Sequence, residues 1–340
     1  MSAIRDAAID RGVQIWAYTG ESHNKHDRNV LFVNHRRFGH IWELFRRGHG
    51  ARITDSTHFH LEYPHPALLP LWLASKSVLR FRWIKLLHDG SLPSRYESFG
   101  RLRKWLFITA ISHIDVIIVV NRELESWLRR VADFKGNVSF ISPLLPLPPN
   151  WGDEQIRSGL LEKIDQFSTH KKRVLSIGVF TPPYGFHHVA DSIERLRRET
   201  DEDIGLLLVD GRFDGDDEYR ERVLNGRDWI TVAENVPHPA LKNVFGVSDV
   251  FVRAFAHESF GLSRVEALWC NTPVIATNTG ETRGMLTFEF GDIDQLSAAL
   301  KVILHDDFIA DTSISAAMFR EEAKENLEKY LKAITGETAK

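Results

Sequence analysis

Apolar and polar positions along this chain fall into two alternating kinds of run. Short, nearly unbroken apolar runs read as strands buried on both faces, the pattern of a parallel sheet covered by helices. In the first half they lie near residues 13–18, 52–55, 82–87, 115–120 and 138–141, and in the second near 173–177, 205–209, 230–232, 249–255 and 274–276. Between them, apolar residues recur at three- and four-residue spacing. Residues 188–198, with Val189, Ile193 and Leu196 on one face, show that helical period. Strands alternating with helices predict an α/β architecture with parallel sheets.

The stretch 143–150, PLLPLPPN, fits neither a helix nor a central strand, because proline lacks the amide donor that both require. It reads as a linker between two Rossmann-like halves, residues 1–147 and 148–340. Residues 314–334 read as a long, charged, amphipathic closing helix.

Composition narrows the class. The 340 residues are 43% hydrophobic and 26% charged, a globular balance on a chain long enough for two domains. No apolar run reaches the ~18 residues of a membrane span. The start, MSAIRD, lacks the apolar core of a signal peptide, so the expected location is cytoplasmic. The one cysteine, Cys270, excludes an intrachain disulfide and sits beside Trp269 in an apolar helix, where a core thiol is expected.

Charge is unevenly spread. Residues 1–150 carry 21 Lys and Arg against 13 Asp and Glu, a balance of +8; the rest carry 22 against 33, a balance of −11. A basic first half suits a phosphate-bearing acceptor or an anionic membrane surface. No nucleic-acid motif accompanies the charge, so nucleic acid is not an expected partner. Residues 66–74, apolar and followed by Lys76, Arg80, Arg82 and Lys85, read either as an element of peripheral membrane contact or as a buried helix with a basic flank.

The chemistry concentrates at residues 258–266, ESFGLSRVE. Two carboxylates, Glu258 and Glu266, stand on either side of Phe260, Gly261, Leu262 and Ser263, between a strand and a helix. The backbone N–H groups of Gly261, Leu262 and Ser263 are the donors that a helix N-terminus leaves without intrahelical partners, a natural phosphate site. Glu258 precedes that helix. Glu266 lies roughly 9 Å along its axis, at ~1.5 Å per residue, and leans back toward the N-terminus, within reach of a ribose. Ligands of open α/β sheets bind beyond the carboxyl ends of strands. Glu258, Gly178 and His88 each follow a predicted strand at that end.

The string HESFGLSRVEALWCNTPVIATNTGETRG resembles the E-x7-E signature of retaining GT-B glycosyltransferases of family four. That resemblance implies two facing Rossmann-like domains with parallel sheets, and transfer of a hexose-type sugar from a nucleotide diphosphate sugar to a hydroxyl acceptor, carbohydrate or lipid-linked. It implies polysaccharide or glycolipid synthesis, work done in the cytoplasm or at the inner membrane surface. The donor is a substrate, and neither cofactor nor active-site metal is implied. Glu258 would contact the donor sugar, Glu266 the ribose, and Gly178, Phe260, Gly261, Leu262 and Ser263 the diphosphate region. His88 in HDGSLPSRY is similar to the family's reaction-centre histidine. Arg95 in the same loop reads equally as a phosphate ligand or a solvated residue. In family members the last helix crosses back to the first domain, and this one is placed to do so.

Two departures accompany the resemblance. After Gly178 the family carries an Arg, and before the next glycine a Lys, both holding the diphosphate; here stand Val179 and Tyr184. Arg283, Arg264, His187 and His188 are the candidate substitutes, and Tyr184 either donates its hydroxyl to phosphate or packs. The chain also starts with a helical stretch, residues 4–12, where the family has a strand and glycine-rich loop, implying truncation or a different donor-side wall. These departures keep a second class open: a degenerate relative binding a nucleotide or a partner glycosyltransferase without catalysis. His58 and His60 alternate as a metal pair would but lack a third ligand, so a structural role is expected. Residues 214–218, DGDDE, resemble a D-x-D metal motif and are read as a solvated loop.

Overall fold

The computed structural model describes residues 15–19, 30–32, 58–60, 82–87, 92–131, 134, 136–147, 151–152, 158–211, 215–305 and 311–335. The chain forms two compact units, Met1–Pro146 with Ala323–Lys340, and Leu147–Glu322.

In the first unit, β1 (Ile15–Thr19), β2 (Val30–Phe32), β3 (His58–His60), β4 (Arg82–Leu87), β5 (Val116–Val119) and β6 (Asn137–Phe140) form one sheet. Its order is β2-β1-β3-β4-β5-β6, and every neighbouring pair is parallel. Helices α1 (Leu92–Glu97), α2 (Arg101–Ser112) and α3 (Arg122–Val131) follow β4 and β5. All four residues of β5 are buried, as a central parallel strand requires. The α3 helix starts with Glu123 and Glu125 and ends with Arg129 and Arg130, complementing its dipole, and Asn121 Oδ1 accepts from Leu124 N at 2.8 Å as its cap. It buries Leu124, Trp127 and Leu128, and Trp127 meets the Tyr96 ring edge-on at 5.4 Å.

In the second unit, β7 (Lys172–Gly178), β8 (Ile204–Asp210), β9 (Ile230–Glu234), β10 (Val250–Arg253), β11 (Val274–Thr277) and β12 (Leu286–Phe288) form an all-parallel sheet in the order β12-β11-β10-β7-β8-β9. Its helices are α4 (Ser158–Ser168), α5 (Phe186–Thr200), α6 (Asp217–Leu224), α7 (Leu241–Gly246), α8 (Leu262–Trp269) and α9 (Ile293–Ile303). From β7 the chain winds outward through β8 and β9; it then returns to β10 on the other side of β7 and winds through β11 and β12. The strand order therefore reverses between β7 and β10, and the carboxyl ends of these two strands flank the switch-point crevice.

The closing helix α10 (Ser313–Thr335) gives its last turns to the first unit, where Tyr330 and Leu331 pack with Val116, Ile118 and Ile141. Asn326 Nδ2 donates to the carbonyl of Leu144 at 3.2 Å in the same unit.

The expected strands are present within one or two residues wherever the chain is described. Residues 52–55, 4–12 and the apolar segment 66–74 lie outside the described residues. Strands β2, β3 and β12 were not expected: each has three residues, too few for a period to register. No helix among the described residues is long and apolar enough to cross a membrane.

Candidate functional site

The switch point gathers its polar side chains from β7, β10, the loop behind β10 and the first turns of α8. Continuous apolar sequence buries Val250, Phe251 and Val252, so β10 delivers its last residue, Arg253, to the sheet edge. Arg253 Nε donates to Glu258 Oε2 at 2.7 Å, and Nη1 donates to the carbonyl of Ile177 on β7 at 2.6 Å. Its guanidinium also lies 5.2 Å from the ring centroids of both Tyr184 and Phe255.

Glu258 is held against glycines. A Cβ on Gly261 would lie 3.1 Å from Glu258 Cγ, and one on Gly280 3.0 Å from the same atom. Both glycines have positive φ, +87° and +74°, which a side chain would strain. Gly261 opens α8, and no side chain caps that helix. Leu262 is exposed beside it, Ser263 is half-buried, and the carbonyl of buried Phe260 accepts from Glu281 N at 2.8 Å.

Arg264, offered by sequence as a diphosphate ligand, is fully buried and points elsewhere. Its Nη1 donates to the carbonyls of Thr279 and, at 3.0 Å, Glu281, and its Nη2 donates to Thr277 Oγ1 at 2.9 Å. Arg264 thus ties α8 to the loop after β11, and burial pulls its pKa down to about 10, against the nearby Glu258 carboxylate. Glu266, two residues on, is buried and accepts from His238 Nε2 at 2.7 Å. His238 is anchored by its own carbonyl, which accepts from Trp151 Nε1 at 3.1 Å.

The other candidates separate clearly. Gly178 ends β7, and a Cβ there would meet the Tyr184 ring at 2.5 Å. Tyr184 stacks on Phe255, with centroids 4.4 Å apart and planes 24° apart, so of its two readings packing is the observed one. Arg283 pairs with Glu281 and with Glu322, 2.8 Å away, above the Phe319 ring. The rings of His187 and His188 lie 3.7 Å apart with planes tilted by 42°, and His187 Nδ1 shares a hydrogen bond with the Tyr219 hydroxyl at 2.7 Å. Burial, aided by the charges of His188 and Arg222, lowers the His187 pKa to about 4. His187 is therefore neutral at neutral pH and is no substitute for a lost cation.

Within the acidic run, Asp216 caps α6 by accepting from Tyr219 N at 3.0 Å, while Asp214 lies outside the described residues. No group of three or more potential metal ligands occurs among the described residues. His58 and His60 lie in β3, paired with Arg82 and Ile84 of β4. His88 falls just past β4, outside the described residues, and Arg95 is exposed in the last turn of α1. Arg253 and His238 are the two site residues that sequence reading missed. The signal for Arg253 was its place as the last residue of an apolar strand leading to the E-x7-E loop.

Comparison with known proteins places this geometry. Residues 161–326 match the model of the family described as glycosyl transferases group 1. Trehalose synthase of Thermococcus litoralis is 28% identical over 201 residues, 52% of this chain and 48% of that protein. The chain thus spans about half the length of the curated relatives it matches. Among solved structures, the UDP-forming α,α-trehalose-phosphate synthase of Burkholderia vietnamiensis superposes with a TM-score of 0.65 at 14% identity, covering 99% of this chain and 94% of that one. Anabaena HepE in complex with UDP-glucose gives a TM-score of 0.63 at 14% identity, with 98% and 92% covered. At such identities these likenesses establish the fold, GT-B.

Proposed function

Because residues 161–326 match the model of the glycosyl transferases group 1 family and the chain has the GT-B fold, we propose that this protein is a retaining, metal-independent glycosyltransferase using a nucleotide diphosphate sugar. The observation that carries this is the position of Glu258, the uncapped start of α8 and Glu266. They lie in sequence along one loop and helix, beyond the carboxyl end of β10 at the switch point. In this arrangement the N–H groups of the first turn of α8 hold the β-phosphate. Glu266 takes the ribose hydroxyls in exchange for, or together with, His238. Glu258, whose Oε2 is bound to Arg253, offers Oε1 to a donor-sugar hydroxyl. UDP-glucose in the Anabaena neighbour supports a nucleotide sugar as donor, and glucose-6-phosphate bound to the Burkholderia xenovorans trehalose-phosphate synthase supports a hydroxylated carbohydrate as acceptor.

The reaction is a displacement at the anomeric carbon. The bond from that carbon to the phosphate oxygen breaks with its electron pair leaving on phosphate. The acceptor oxygen bonds on the same face, and the acceptor proton passes to the departing phosphate. No second carboxylate is needed to carry the sugar, unlike the covalent route of retaining hydrolases. Incubating the chain with a panel of nucleotide sugars and carbohydrate acceptors, with EDTA present, tests this. A product whose anomeric configuration matches the donor, lost in Glu258→Ala, supports the proposal; nucleotide binding without product supports a non-catalytic relative.

A further inference from the structure

Around the first turn of α8 three guanidiniums, Arg253, Arg264 and Arg283, face three carboxylates, Glu258, Glu281 and Glu322, but they do not pair evenly. Arg253 pairs with Glu258, while Arg283 takes both Glu281, whose Oε1 its Nε reaches at 2.9 Å, and Glu322. Arg264 is fully buried and, among the described residues, bonds only to two carbonyls and one hydroxyl, so its charge has no direct counter-ion. Its Nε is buried without any hydrogen-bond partner. The helix adds its own positive end, since no side chain caps it. A buried guanidinium without a directly bonded carboxylate is costly, and an anion at the start of α8 offsets part of that cost.

Of Arg253 and Arg264, Arg253 is the one placed to meet such an anion. Arg264 spends its terminal nitrogens inside the protein, whereas the Arg253 side chain keeps 13% of its surface at the carboxyl ends of β7 and β10. Its Nε and Nη1 are committed to Glu258 and Ile177, which fixes the plane of the group; Tyr184 and Phe255 flank that plane. Nη2 is the donor left over from these bonds. A guanidinium fixed through two nitrogens and presenting the third loses little freedom when it binds a phosphate.

Building on the nucleotide-sugar function proposed above, we infer that Arg253 is a catalytic residue that binds the anionic diphosphate leaving group through Nη2. Glu258 holds it in place through Oε2. The charge that develops on phosphate as the sugar bond breaks then faces a fixed and largely buried guanidinium, which stabilises it more than a solvated one would.

The test separates the phosphates from the rest of the nucleotide. Affinities of UDP against uridine, and of GDP against guanosine, are measured by calorimetry for the wild-type chain, Arg253→Met and Arg253→Lys, with melting temperatures recorded for each. The expected result is a loss of roughly tenfold or more in diphosphate affinity in Arg253→Met, with nucleoside affinity unchanged and a smaller loss in Arg253→Lys. An unchanged ratio of diphosphate to nucleoside affinity in the folded variants overturns the role of Arg253 and leaves glycosyl transfer standing. Should Arg253→Met not fold, the ratio in Arg253→Lys decides: unchanged, it overturns the role; reduced, it supports it. A wild-type chain that binds none of the four compounds overturns the nucleotide-sugar function itself, and this inference with it.

Discussion

His238 Nε2 stands 2.7 Å from Glu266 Oε1, so the carboxylate at the end of the E-x7-E spacing has a histidine for a partner before any nucleotide arrives. The bond to Glu266 raises the His238 pKa above its ordinary value, against the opposing effect of burial. A raised pKa means that the folded state holds the proton more tightly than the unfolded chain. The stabilisation is complete below about pH 6.5, the ordinary histidine value, and is lost as pH rises through the raised one. His238→Gln is therefore expected to lower the melting temperature more at pH 6 than at pH 9. An equal drop at both values contradicts the pairing.

His187 has the opposite sign. Its pKa is lowered to about 4, chiefly by burial, so between about pH 6.5 and 4 the unfolded chain binds a proton that the folded one refuses. Its contribution is intact above about pH 6.5 and disappears as pH falls toward 4, and His188, also lowered by burial, acts in the same direction. His187→Gln should lose less stability than wild type between pH 7 and pH 4.5, read from urea midpoints. A variant as acid-sensitive as wild type counts against this.

Gly261 and Gly280 are expected to resist substitution. Alanine at either adopts a positive φ and brings Cβ to about 3 Å from Glu258 Cγ; at 280 it also lies 3.0 Å from the carbonyl oxygen of Phe260. Gly261→Ala and Gly280→Ala should each cost about 1–3 kcal/mol in chemical denaturation, the scale of a strained backbone position. Unshifted midpoints would mean that the loop accommodates a side chain as it stands.

Arg264→Met should cost about 2–4 kcal/mol, because it leaves the Thr279 and Glu281 carbonyls and the Thr277 hydroxyl short of a donor in a buried setting. Thermal unfolding of the variant checks this, and a loss below about 0.5 kcal/mol, typical of a surface change, would contradict it.

Much of this was legible in the sequence. Unbroken apolar runs such as residues 250–252 and 116–119 can bury both faces only inside a parallel sheet, so strands and fold class followed directly. The E-x7-E spacing placed one carboxylate ahead of a helical segment and one within it, without knowledge of the sheet order. The pairings were not legible. Arg253 meets the carbonyl of Ile177, 76 positions away, only because β10 lies beside β7. His238 meets Glu266 across 28 positions, again through tertiary packing. Arg264 looked like a phosphate ligand from its place near the helix start; its burial depends on carbonyls of the loop after β11, which no local pattern announces.

Calorimetric titration of the purified chain with UDP, GDP, ADP and dTDP, with and without EDTA and alongside Glu266→Ala, tests the central claim most directly. The expected result is one nucleotide binding at a single site, indifferent to EDTA, and weakened by roughly 1.5–3 kcal/mol in Glu266→Ala, the scale of a charged hydrogen bond. Binding of none of the four, or undiminished binding by Glu266→Ala, would contradict a nucleotide held along α8.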